Sequence, residues 1–552
     1  MDRPRPGKRR HRLIAVAALS VAVTAAIAPA AANAAVATTR DLTTPGTPRI
    51  AGSSANPIGS QVALLGDVNG DGIGDLATSG QYDPNQGNIG RVEVVFGRTS
   101  SGRIETDPLP AGGGFQITGV AFSTLGSDFF GLQDRLGPSV AAAGDVNGDG
   151  LADIIVGASG FPLPDGRQVG RAFVIFGSRS PTDVDVRALP QTRGYALVPP
   201  TFSDSFGYRV AGVGDVNRDG LADVAVSSDC SCVPAPASFF EVHVVYGRRS
   251  GGDIDLSQWT PAMGFRVSGH VFAADGWATD LGAISNFVTL GWAVTGLGDV
   301  NGDGFDDLAI GSPLDGPDTL AFVGAVYVVY GGRTTDLSTA DLGCSRCTRN
   351  GIRIMGDPAT FQGLNTSLGT VVRGPGDVNG DRIPDILIGT EQGEAGAYVV
   401  FGRNKNPAAI DLQKSFAGFV IKSLTAQPGG ACCHPGDRVA PAGDVNHDGL
   451  ADLLVGNPDD SPTVDGVRRD LGGQAYVIFG RKATTTVDVD NLADSAGFRI
   501  VGGVFRDGVN TGYGLDGGRD MTGDGRPDLA IGSSLLPGDP TADVSGIDVL
   551  AQ

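Results

Sequence analysis

The chain has 552 residues, of which 41% are apolar and 18% charged; it carries 86 glycines, 33 prolines and a formal net charge of −20. The apolar share is that of a packed protein and excludes disorder, and the charge excludes a nucleic-acid or anionic-lipid surface, which would repel it. An acidic excess of this size suits a chain that neutralises itself with divalent cations.

The first element is a processing segment. Arg3, Arg5, Lys8, Arg9, Arg10 and Arg12 stand against only Asp2, followed by an apolar stretch from Leu13 to Ile27 and small residues into Ala32-Asn33-Ala34. This is the layout of a secretory signal peptide, residues 1–34, cut after Ala34 or alternatively after Ala37. The apolar stretch is shorter than the roughly 20 residues a membrane span needs. Arg9-Arg10 matches a twin-arginine signal loosely, so Sec export is expected. With no Cys at the cleavage site and no apolar tail before Gln552, the expected product is a secreted, soluble extracellular protein. Its net charge is then about −25, once the six cations and one anion of the segment are removed. Residues 35–46 read as a linker.

From residue 47 onward the chain is a repeat. Asp67-Val68-Asn69-Gly70-Asp71-Gly72-Ile73-Gly74-Asp75 recurs from Asp145, Asp215, Asp299, Asp377, Asp444 and Asp520, at intervals of 67 to 84 residues. Before each copy stands an apolar residue, a Gly and a short apolar run, as in Phe206-Gly207 to Val213. After it comes a run such as Asp153-Ile154-Ile155-Val156-Gly157, then a segment ending in aromatic-Gly, as in Ala172 to Gly177. A fourth segment resembles Gly114-Phe115-Gln116-Ile117-Thr118-Gly119. These short Val-, Ile- and aromatic-rich runs, bounded by Gly, Pro, Asn or Asp, are strand signals, and no stretch sustains a helical period.

Seven repeats of four strands predict an all-β, seven-bladed β-propeller. The seventh repeat stops after its third strand near Gly546 to Leu550, whereas Thr47-Pro48-Arg49-Ile50-Ala51-Gly52 reads as an orphan fourth strand. Pairing the two would close the ring and remove an exposed sheet edge.

The nine-residue copies have the chemistry of calcium loops. Calcium takes six to eight hard oxygens in flexible geometry. Oxygens at positions 1, 3, 5 and 9 with a backbone carbonyl at 7 can wrap one ion, and Gly at 6 permits the turn. The first loop offers Asp67, Asn69, Asp71 and Asp75 with the Ile73 carbonyl; the second Asp145, Asn147, Asp149 and Asp153 with Leu151. The third offers Asp215, Asn217, Asp219, Asp223 and Leu221; the fourth Asp299, Asn301, Asp303, Asp307 and Phe305. The fifth holds Asp377, Asn379, Asp381, Asp385 and Ile383; the sixth Asp444, Asn446, Asp448, Asp452 and Leu450. The seventh has Asp520, Thr522, Asp524, Asp528 and the Arg526 carbonyl. Arg382 replaces the position-6 Gly in the fifth loop, so that site is expected to be the weakest of up to seven Ca²⁺ sites. Thr522 is a weaker but usable oxygen. An EF-hand reading fails because position 12 is apolar or Thr (Thr78, Val156, Val226, Ile310, Ile388, Val455, Ile531) and strand-like segments follow.

The apolar-Gly start, the Asp loop and the following Val-Gly-Ala or Ile-Gly-Ser-Pro resemble FG-GAP repeats, which build the propeller heads of integrin α subunits and of related bacterial secreted proteins. The resemblance spans residues 47–552. Phe206-Gly207 and Val156-Gly157-Ala158 match the name-giving residues most closely. Ile58, Leu136, Leu290, Leu368 or Tyr513 replaces Phe elsewhere, and Gly436-Asp437 departs most. The resemblance implies an extracellular binding or adhesion module whose ligand, a protein or glycan, is met by loops opposite the calcium loops. The insertions Ala121 to Arg135 (with Phe129, Phe130) and His270 to Leu290 (with Phe272, Trp277, Phe287) would lie there. The stalk domains of integrins are absent, and a monomer is expected. The alternative is an enzyme or enzyme scaffold acting on extracellular polymers or lipids, since such propellers also accompany phospholipase-like domains.

Six cysteines form three local pairs, Cys230/Cys232, Cys344/Cys347 and Cys432/Cys433, read as loop-stapling disulfides whose connectivity stays open among 15. Cys344-Ser345-Arg346-Cys347 lacks the second ligand pair a zinc site needs. Of His243, His270, His434 and His447, none stands in a catalytic motif, so no catalytic residue is assigned.

Overall fold

The computed structural model describes residues 39–551 apart from 43–48, 53–57, 60, 80–90, 101, 120–138, 160, 162–169, 200–205, 229–239, 270–289, 314, 316–322, 343–348, 357–366, 391–395, 405–408, 424–434, 437, 459, 465, 470–471, 503–508 and 536–545. The segment read as a signal peptide, all six cysteines, His270, His434 and both aromatic insertions therefore lie outside the described residues, save Leu290 at the edge of the second.

Seven sheets, each antiparallel through its first four strands, follow one another as blades of a β-propeller. The first strands are Gln61–Gly66, Val140–Gly144, Phe206–Gly214, Ala293–Gly298, Val371–Gly376, Arg438–Gly443 and Val509–Arg519. Each packs against the first strand of the next blade, and Gln61–Gly66 packs on Val509–Arg519, so they form the inner wall of a closed ring. Each ends in a bulge that swings the chain into its Asp loop. The second strands, such as Asp153–Ala158, are buried at every position whose burial is described. That is why they read as continuous apolar runs rather than alternating ones.

The core lies in the seams between blades. One cluster joins Val92, Phe115 and Ile117 of the first blade to Ile154, Phe173 and Ile175 of the second. Another joins Ile50, Ala530 and Ile547 of the last blade to Leu64, Leu76 and Val95 of the first. The Phe206-Gly207 dipeptide serves this packing: Phe206 is fully buried, and Gly207, at φ 87°, lies so close to the preceding blade that a Cβ would stand 2.2 Å from the Arg171 carbonyl.

Four strands per blade were expected; each sheet has five. The fifth is a two- or three-residue strand that pairs in parallel with the fourth strand of the preceding blade. Val184–Asp185 of the second blade pairs with Gly114–Thr118 of the first in this way. It is too short to carry periodicity, so the pattern of the sequence passes over it. The N-terminal segment supplies two strands of this scheme. Thr39–Asp41, inside the stretch read as linker, pairs in parallel with Gly497–Val501 of the sixth blade. Arg49–Ala51 pairs antiparallel with Gly546–Leu550 of the seventh and in parallel with Ile104–Glu105 of the first.

Candidate functional site: seven Asp loops at the blade seams

Each Asp loop joins the first strand of its blade to the second, so all seven lie at one end of the ring. Inside a loop the first Asp organises the turn. Asp145 Oδ1 accepts from the N–H groups of Gly148 (2.6 Å) and Asp149 (3.1 Å), and Oδ2 from Gly150 (2.9 Å). Asp149 Oδ1 accepts from Leu151 N–H at 2.9 Å. The ninth-position Asp is fully buried in every copy. Asp153 accepts from Val146 N–H (2.9 Å) within its loop and from Gly177 N–H (2.8 Å) at the end of the third strand. Asp75, Asp223, Asp307, Asp385 and Asp452 do the same for Gly97, Gly247, Gly331, Gly402 and Gly480. This explains the aromatic-Gly ending of the third strand: at Gly97 a Cβ would stand 2.1 Å from the Gly74 carbonyl.

Burial, reinforced by neighbouring loop carboxylates, pushes Asp75, Asp153, Asp223 and Asp385 up to about 7 and Asp307 to about 8, against the pull of the N–H donors. Burial raises Asp452 and Asp528 to about 6.

Loops of successive blades are also stitched together. The position-8 N–H of one loop donates to the position-1 carbonyl of the loop before it: Ala152 to Asp67, Ala222 to Asp145, Asp306 to Asp215, Ala451 to Asp377, and Gly74 back to Asp520 across the closure. At the two remaining seams position 8 is Pro384 or Pro527, which has no N–H to give. A second stitch runs from the residue after aromatic-Gly to the position-2 carbonyl of the preceding loop, as in Arg248 N–H to Val146 and Arg98 N–H to Met521.

The donor set fits a hard cation in two respects. Among the described hydrogen bonds none ends on the position-7 carbonyls of Ile73, Leu151, Leu221, Phe305, Ile383 or Leu450. Among the described ion pairs none takes a loop carboxylate. The side chains themselves are turned onto hydrogen bonds, and among the described residues no three His, Cys, Asp or Glu side chains are gathered as a metal cluster. In loops one, two, three and six the Asn amide at position 3 donates to the position-5 Asp, at 2.9–3.0 Å. In loops four and five, Asn301 and Asn379 turn to the ninth-position Asp instead, and Thr522 does so in loop seven. Loop four departs despite a regular sequence, because its difference is one of side-chain orientation.

Position 4 is a feature the sequence reading missed. Five loops have Gly there, whereas Arg218 (φ 65°) and His447 (φ 60°) hold the same left-handed conformation in loops three and six. Arg382 at position 6 of loop five has φ 71°. A non-Gly residue in this region costs about 1–2 kcal/mol. Arg382→Gly is therefore expected to stabilise the protein by about 1 kcal/mol, after the extra unfolded-state freedom of Gly is discounted; a urea midpoint no higher than that of the parent would contradict this.

The two carboxylate roles are separable. Asp153→Ala leaves two buried N–H groups without an acceptor, each worth about 1–3 kcal/mol, and should lower stability by about 3 kcal/mol even in a chelator. Asp149→Ala removes an exposed carboxylate and should cost under about 1 kcal/mol without calcium. Equal losses for the two variants in chelator would refute the hub role of Asp153.

The other described histidine of interest, His243, is buried between the rings of Phe206 and Trp259, with Nε2 3.5 Å from Glu241. Burial pushes it down to about 3, which keeps it neutral.

A ring of blades latched strand to strand, with an Asp loop at the inner turn of each, defines a seven-bladed repeat propeller. Residues 136–175, 290–329 and 436–478, in the second, fourth and sixth blades, match the FG-GAP repeat. Integrin alpha-PS2 of Drosophila melanogaster is 28% identical over 301 residues, 54% of this chain and 18% of that protein. Integrin alpha-8 of Gallus gallus is 26% identical over 318 residues, 58% of this chain and 24% of that protein. Phosphatidylinositol-glycan-specific phospholipase D of Bos taurus is 31% identical over 185 residues, 33% of this chain and 19% of that protein. The chain is an integrin α-like FG-GAP propeller. It spans less than a quarter of the length of each of these relatives.

Proposed function

We propose that this protein is a secreted, calcium-stabilised binding module that holds an extracellular protein or glycan and does not transform it. The observation that carries this reading is the division of the ring into two ends. The Asp loops occupy one end and spend their polar groups on the turns and seams. The connections from second to third and from fourth to first strands leave at the other. Gly119 and Ser139, and Gly269 and Leu290, which flank the two aromatic-bearing insertions, lie at that other end. Aromatic side chains on a rigid scaffold suit stacking on sugars or anchoring a protein partner. Integrin-type relatives support binding, and the partial likeness to a phospholipase D keeps a hydrolytic alternative in the test.

The mature chain, residues 35–552, would be applied to arrayed glycans and matrix proteins with and without a calcium chelator. Selective, chelator-sensitive retention of an intact ligand supports the reading. Absence of any binding, or progressive loss of the arrayed ligand, would overturn it, the latter in favour of a hydrolase.

A further inference from the structure

The first strands follow a common pattern. Counting back from each loop's first Asp, the fifth residue is apolar in every blade: Val62, Val140, Val210, Val294, Val372, Val439 and Leu515. The fourth is Ala in four blades and Thr in one, but Arg373 in the fifth and Asp516 in the seventh. The sixth is Arg209 in the third blade and Arg438 in the sixth. Three cations and one anion thus stand on the inner wall of an otherwise acidic protein, within two residues of one another in height.

These groups come from blades that are not all neighbours, yet Arg373 lies within electrostatic reach of Asp516, Arg209 and Arg438 together. Side chains from the third, fifth, sixth and seventh blades can meet only across the central channel. Asp516 does not neutralise the cluster by contact. Its oxygens accept from Leu64 N–H (2.7 Å) and Gly517 N–H (2.9 Å), and no described carboxylate forms an ion pair with Arg373 or Arg209. Arg373 Nη1 donates to the Val372 carbonyl and Arg209 Nε to the Trp292 carbonyl, each at 3.0 Å, while the Arg209 guanidinium rests 4.7 Å over the Tyr208 ring. A guanidinium has five N–H donors in a planar fork matched to a carboxylate. Both side chains belong to half-buried residues, and both forks keep donors to spare.

We propose that the central channel, from the end away from the Asp loops, is a carboxylate-binding site in which Arg373 and Arg209 grip the anion and Arg438 adds charge. This goes beyond the binding reading above, which rests on the aromatic insertions and gives the channel no role, and it can fail while that reading stands. The carboxylate could belong to a free small molecule or to an acidic side chain of a partner inserted along the axis.

Calorimetric titration in millimolar calcium, with sodium chloride holding ionic strength constant, would use succinate as the free probe and an acetylated triglutamate peptide as the chain-borne one. Succinate binding weakened about tenfold or more by Arg373→Gln and tightened by Asp516→Asn, which removes the internal competitor, is expected. If Arg373→Gln does not fold, Arg209→Gln makes the same test. No succinate heat above the chloride control, or an affinity unchanged in the Arg variant, would overturn the site. Given binding, a tighter peptide that displaces succinate assigns the site to a partner's side chain; a weaker peptide assigns it to a free carboxylate.

Discussion

A chain that begins at residue 53 is expected to be less stable, and to associate more with itself, than one that begins at residue 35. The segment is small, but it supplies two strands at the closure. Ile50, 1% exposed, packs with Ile547 and Ile104 in the seam between last and first blades. The Ala51 carbonyl accepts from Thr106 N–H at 3.0 Å, tying the segment to the first blade. Upstream, Arg40 lies 4.3 Å over the Phe498 ring beside the pairing of Thr39–Asp41 with the sixth blade. Burying one Ile is worth about 1.5–3 kcal/mol, and each ladder hydrogen bond about 1 kcal/mol. The sum, on the order of 5–10 kcal/mol, approaches the 5–15 kcal/mol stability of an ordinary domain. The truncation also bares the edge of Gly546–Leu550, a template for pairing with another chain. Light scattering after size exclusion, with thermal unfolding, reads both effects. A peptide of residues 39–52 added in trans should restore the behaviour of the longer chain, and the same peptide with Ile50→Asp should not. A truncated chain with the same mass in solution as the longer one and an unchanged Tm would show that closure does not depend on this segment.

The repeat was legible in the sequence because each loop demands particular atoms at fixed places. Asp at 1 must accept from two or three N–H groups in every loop, and in six blades Asp at 9 must bridge loop and third strand and Gly must follow the aromatic residue where a Cβ has no room. Such demands leave the Asp loop visible seven times and the aromatic-Gly ending six times. The latch strands left no such trace: Val184–Asp185 is two residues long, and its pairing is a matter of backbone placement. Position 4 could have been found, since Gly fills it in five loops; Arg218 and His447 hid the rule by adopting the Gly conformation at some cost. The double duty of Asp153, loop ligand candidate and buried acceptor for two N–H groups, could not be read from spacing, because both roles select the same residue. The axial arginines were overlooked for another reason. Each looks like an ordinary polar interruption of a strand, and only closure of the ring brings Arg209, Arg373 and Arg438 within reach of one another.

The calcium reading carries the largest expected effect on stability, and its pH dependence gives it a distinctive sign. In the unfolded chain an Asp titrates near 3.9. In the folded, metal-free chain Asp75, Asp153, Asp223 and Asp385 are raised to about 7, Asp307 to about 8, and Asp452 and Asp528 to about 6. The folded state therefore holds more protons than the unfolded one between about pH 4 and pH 8. Stability from these groups is greatest below the unfolded value and is lost as pH rises through the folded ones. Metal-free protein should accordingly have a higher Tm at pH 5 than at pH 8. Calcium opposes this slope, since it binds the ionised carboxylates and must displace protons to do so. At millimolar calcium and a Kd near 10⁻⁴ M, linkage gives about 1.4 kcal/mol per loop. Several filled loops would then add an amount comparable to the stability of a whole domain. Thermal scans with chelator and with millimolar calcium, at pH 5 and pH 8, should show a large calcium-induced rise at pH 8 and a small one at pH 5. Magnesium, which is smaller and gives up its water reluctantly, should do much less. A Tm indifferent to calcium at pH 8 would mean that hydrogen bonds alone hold these loops and seams: the backbone stitches between loops together with the first- and ninth-position aspartates.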